Sequence, residues 1–188
     1  MTTDVTAATW LYFNPYKPGD LMGRGMDHPE HFTPLASYDG DGMSSSGLGY
    51  VSLKIGGVET IGISYYGSLD LYWGDLIEGL PNVLRGEKRY VSFSDMMGGG
   101  WMTPLEGGLI RFARDELSNG PDYVPAPAVT AVADRVALGT ALADGAQGWH
   151  DFCERVAPSS GLAGPWMQER IDAVRAALAE PTPHSVRR

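Results

Sequence analysis

The sequence predicts an α+β protein in which a single antiparallel β-sheet of about five strands is packed by about three helices, the helices concentrated in the C-terminal third. Three observations support this class. Residues 1–120 hold most of the Gly, Tyr and Met and read as strands and loops, whereas residues 121–188 are Ala-rich and read as helices. Strands followed by helices, rather than alternating with them, indicate α+β over α/β. A hairpin signature around Gly56-Gly57 marks antiparallel pairing. The 188 residues suffice for a sizeable core without a disulfide or metal. One domain over residues 1–180 is expected, followed by a flexible tail at 181–188.

Each element has its own justification. Thr9-Trp10-Leu11-Tyr12-Phe13 is an aromatic run ended by Asn14-Pro15, and it reads as the first strand. Residues 15–48 follow as one long loop carrying Pro15, Pro18, Pro29, Pro34 and Asp39-Gly40-Asp41-Gly42. A loop of that length is usually functional or mobile. Tyr50 to Ile55 alternates polar and apolar residues, Gly56-Gly57 supplies a turn, and Val58 to Tyr66 resumes the extended pattern. A two-residue turn sets Lys54 opposite Glu59 and Ile55 opposite Val58. That register puts Val51 and Leu53 on one face but Ile61 and Ile63 on the other, so either both faces are covered or a glycine bulge shifts the pairing.

Ser68 stands where it would cap a helix starting near Leu69, with Leu69, Tyr72, Trp73, Leu76, Ile77 and Leu80 as its apolar stripe. Pro81 ends or kinks this helix, and Gly86 lies beyond any continuation through Leu84. Further strands are expected near 89–94 and 109–114, with Met96 to Met102 as a loop between them. Ala-rich residues from about Pro127 to Val156 read as a helix in which Gly139, Gly145 and Gly148 either break the run or permit close packing. A last helix opens on Pro165 and buries Met167, Ile171, Val174 and Leu178. Trp10, Trp73, Trp149 and Trp166 all fall on these elements and read as core.

Composition excludes several function classes. Fourteen Lys and Arg against 23 Asp and Glu leave a formal charge of −9, most of it in residues 1–120. This argues against nucleic acid or an anionic membrane as partner. No run approaches the roughly 18 apolar residues of a membrane helix. The single cysteine, Cys153, fits a reducing, cytoplasmic setting, and Met1 to Val5 lacks the basic and apolar segments of a secretory leader.

The candidates for chemistry are incomplete. Asp27-His28-Pro29-Glu30-His31 gathers potential ligands, but no second cluster supplies the three or four that zinc needs. Asp39-Gly40-Asp41-Gly42 resembles the start of a calcium loop, yet Met43 occupies the next ligand position and Tyr50 the twelfth. His150 and Cys153 lie one helical turn apart, flanked by Asp151 and Glu154, which oppose a thiolate. Nucleophile elbows, phosphate loops and dinucleotide fingerprints are absent, and no cofactor or metal is expected.

Two readings survive. In the first, the protein is a non-catalytic acidic binding module that occludes a basic protein partner. In charge, size and layout it is similar to immunity proteins of bacterial toxin systems, and that similarity implies a toxin domain as the partner. Asp39, Asp41, Asp95, Met96, Met97, Trp101 and Met102 are the expected contact residues, because carboxylates steer association and adaptable Met and Trp side chains hold it. In the alternative, a small hydrolase uses His, Asp or Glu from loops 15–48 and 95–107.

Overall fold

In the computed structural model of the chain, residues 3–12, 32–38, 47–62, 67–93, 98–116, 127–156, 158 and 162–182 are described. Strand β1 spans Val5–Tyr12 and pairs antiparallel with β2, Phe32–Pro34, and with β3, Leu48–Ile55. β4, Val58–Ile61, pairs with the other side of β3, which also takes the short β5, Gly67–Ser68. Then come α1, Leu69–Glu78, and α2, Leu80–Leu84. A second antiparallel sheet follows in simple meander order from β6, Arg89–Phe93, β7, Gly98–Leu105, β8, Leu109–Arg114, and β9, Val129–Asp134. The chain closes with α3, Arg135–Val156, and α4, Pro165–Ala179.

The antiparallel α+β class and the C-terminal concentration of helices are as expected, but the strands divide between two sheets. Both sheets turn one face toward the helices, and their β4 and β9 edges approach each other. Leu53 and Ile55 from the first sheet, Phe93 and Phe112 from the second, and Trp73 and Trp149 from the helices meet in one core. The indole N–H of Trp73 donates to Thr9 Oγ1 at 3.1 Å, which satisfies both buried polar groups. The opposite face of the first sheet carries a second cluster, in which Tyr12, Phe32 and Tyr50 pack with Trp10 and Leu48.

The hairpin resolves the register question. Gly56 and Gly57 both have positive φ, 58° and 79°, as a type I′ turn requires, and Lys54 faces Glu59 as expected. The register then shifts between Leu53 and Lys54, so Leu53 pairs with Ile61. The extra residue is Thr60, away from the glycines, and its hydroxyl donates to the Leu53 carbonyl at 2.9 Å. This bulge brings Ile61 to the same buried face as Leu53.

Four other expectations are corrected. Residues 15–48 are not all loop: β2 and a single 3₁₀ turn, Leu35–Ser37, lie within them. Residues 98–102 form strand, not loop, because β7 is the second strand of its sheet and pairs on both sides. Residues 129–134 form β9, not the start of a helix: Ala131 and Ala133 point inward and Thr130 and Val132 outward, the period of a strand. Asp134 then caps α3, its carboxylate accepting from the Val136 and Ala137 amides at 2.8 and 3.1 Å. Finally, Gly79 rather than Pro81 separates α1 from α2, and Pro81 sits in the first turn of α2.

Ser68 occupies the N-cap position of α1, but its hydroxyl binds the Asp70 carboxylate instead of a backbone amide. Arg135 is buried and donates through its guanidinium to the carbonyls of Leu84, Ala177 and Glu180. It thereby satisfies carbonyls at the C-terminal ends of both α2 and α4, where a cation also complements the helix dipole. The expected tail lies mostly outside the described residues, as does the Asp27–His31 cluster.

Candidate functional site

The site is built from the outer face of the second sheet. Alternation along β7 sends Gly100 and Met102 inward and Trp101, Thr103 and Leu105 outward. The cross-strand pairings carry that outer face across the sheet. Tyr90, Trp101, Ala113 and Thr130 form one row, Thr103, Arg111 and Val132 the next, and Leu105, Leu109 and Asp134 a third. The helices pack on the other face, against Val91, Met102, Phe112 and Ala131. The outer face is therefore open, and Trp101 is 40% exposed, Tyr90 43% and Val132 39%. Scattered exposed apolar residues are ordinary, whereas a contiguous set marks an interaction surface.

The centre of this face is ordered by its own contacts. Tyr90 and Trp101 meet edge to face with centroids 5.1 Å apart and an interplanar angle of 64°. The Tyr90 ring also lies over Gly99, where a β-carbon would stand 2.7 Å from its Cζ. Glycine is thus needed there for close approach rather than for mobility. The Tyr90 hydroxyl donates to the Asp115 carboxylate at 3.2 Å. On the other side, Lys88 Nζ stands 4.1 Å from the centroid of the Trp101 ring, a cation–π contact.

The expected contact residues are placed as follows. Trp101 is on the surface. Met102 is fully buried in the core, because it falls on the inward parity of β7. Asp39, Asp41, Asp95, Met96 and Met97 lie outside the described residues, as do His28 and His31. Lys88, Tyr90, Arg111 and Val132 were missed, since their neighbourhood depends on β7 and β9 being strands. The alternation of Val129 to Asp134 was the signal that would have found this face.

Catalytic alternatives find little support among the described residues. Cys153 is 2% exposed, and burial, then Asp70 and Glu154, push its thiol up to about 12. It is a neutral core group at neutral pH, not a nucleophile. Among the described residues, His150 hydrogen-bonds only the adjacent Asp151, at 3.4 Å. No group of three or more His, Cys, Asp or Glu among the described residues is placed to hold a metal ion. No helix among them is long and apolar enough to cross a membrane.

Fold and face together define an antiparallel α+β protein with one aromatic sheet face left uncovered by the described residues. Comparison with known proteins found no matching family model, no similar curated sequence and no similar solved structure.

Proposed function

We propose that the protein is a non-catalytic binding module of the inhibitor or immunity type, acting on a protein partner such as a bacterial toxin domain. The observation that carries this reading is the open face centred on Trp101 and Tyr90. Trp and Tyr are over-represented among the residues that dominate interface energetics. The net charge of −9 supports a partner that is basic overall, because such charge accelerates encounter before contact is made. A cytoplasmic setting belongs to the same reading, supported by the single, buried and unbridged cysteine.

The test is binding kinetics against a partner co-purified from the native host. Trp101→Ala should weaken the complex about tenfold or more, chiefly through faster dissociation. Leu71→Ala, an exposed apolar position on α1, serves as the control and should change nothing. Equal affinity of the wild type and Trp101→Ala would reject this face as the interface.

A further inference from the structure

The outer sheet face has a charge that the composition hides. The chain has a large acidic excess, and four of its described arginines are in ion pairs: Arg85 with Glu180, Arg89 with Glu87, Arg170 with Glu78 and Arg175 with Asp144. Lys88 and Arg111 are not. Among the described residues neither makes an ion pair, although carboxylates outnumber cations in the sequence. Both stand on the Trp101 face. Lys88 is over the ring itself, and Arg111 is diagonal to Trp101, two residues before its cross-strand partner Ala113. Diagonal neighbours of this kind sit roughly 7 Å apart, within reach of long side chains.

The carboxylates of the same face are engaged. Asp115 accepts from the Tyr90 hydroxyl, and Asp134 accepts two amides at the start of α3. Among the described residues the face therefore offers unpaired cations and engaged carboxylates around an aromatic anchor, with Val132, Leu105 and Leu109 as its apolar remainder.

We infer that this face receives an acidic segment of the protein partner, one that sets an apolar side chain on Trp101 and carboxylates against Lys88 and Arg111. The inference rests on the binding-module reading and deepens it. It is compatible with a partner that is basic overall, because the two effects act at different distances. Net charge attracts across a screening length of about 8 Å, while these pairs form only at contact. Nucleic acid also presents anions and stacking rings, but its affinity rests on many neutralised phosphates, and two cations on a chain of charge −9 do not supply them.

A random peptide library displayed on phage, selected on the full chain and counter-selected on Trp101→Ala, tests the inference. Asp and Glu flanking Leu, Phe or Trp should be enriched. Synthetic versions of the selected peptides should bind more weakly as salt rises, and should lose about tenfold affinity to Arg111→Glu and to Lys88→Glu, both exposed positions that tolerate the change. Basic or neutral peptides that still require Trp101 would overturn the acidic chemistry and leave the binding face standing. Absence of any Trp101-dependent peptide would overturn both. Two further outcomes count against the inference: Trp101-dependent binding of an oligothymidylate, and self-association by sedimentation that Trp101→Ala abolishes.

Discussion

Two glycines in α3, three residues apart, have opposite roles. A β-carbon on Gly145 would lie 2.3 Å from the Trp73 ring, so α3 can approach α1 only because that position is bare. Gly148 faces open space, with nothing within 4 Å of where a β-carbon would stand. Gly148→Ala should therefore stabilise the protein by about 0.5–1 kcal/mol, since alanine gives up less backbone freedom in a helix. Gly145→Ala should destabilise it by about 1–3 kcal/mol, because Trp73 is fully buried and has nowhere to move. Urea midpoints of the two variants measure this. A shift of the same sign in both would show that helix propensity, and not packing, governs the site. The same single-residue logic separates Trp101 from Met102: adjacent strand positions face opposite ways, so the two cannot share a surface.

At the scale of elements, Arg135 joins three helices. It opens α3, and its guanidinium meets carbonyls from the ends of α2 and α4. Arg135→Met keeps the apolar bulk but leaves those buried carbonyls without a donor, and should cost about 2–4 kcal/mol. Arg135→Lys should recover only part of this, because an ammonium cannot span carbonyls that a planar fork reaches together. Full stability in Arg135→Met would mean that water replaces the guanidinium. None of this was legible in the sequence, where Arg135 read as a helix residue in the Ala-rich run. What was legible depended on a clear period. The α1 stripe from Leu69 to Leu80 is wholly buried, and the Leu109–Arg114 strand has the expected bounds. Failure came where propensity and context disagreed. Ala131 and Ala133 suit a helix alone but line the core from a strand, and Gly98-Gly99-Gly100 suits a loop but lets its neighbours approach. The candidate site straddles both of those failures, so only Trp101 could be named beforehand.

For the whole molecule, alkaline pH is a measurable weakness. Burial raises the Tyr12 phenol, burial and then Glu59 take Tyr50 to about 12, and the Cys153 thiol reaches a similar value. Each group keeps its proton in the folded state at a pH where the unfolded chain releases it. Stability is therefore fully present below about pH 9 and falls as pH rises toward about 12. Urea midpoints measured across that range should decline, and Cys153→Ala should flatten the decline. A flat wild-type profile would reject the buried, neutral thiol. Net charge makes a second prediction at this scale. Association with a basic partner should slow as salt rises, and charge reversal at Asp39 and Asp41 should lower the on-rate more than it changes the off-rate. Salt-independent association would remove charge from the encounter. The Arg135 clamp finally bears on how the chain is made. Its acceptors are Leu84, 51 residues upstream, and Ala177 and Glu180, 42 and 45 residues downstream. A nascent chain that has emerged only through α3 holds a buried-type cation with two of its three acceptors still to emerge. Completion of this clamp therefore waits for α4, which supplies the acceptors that follow α3 in the chain.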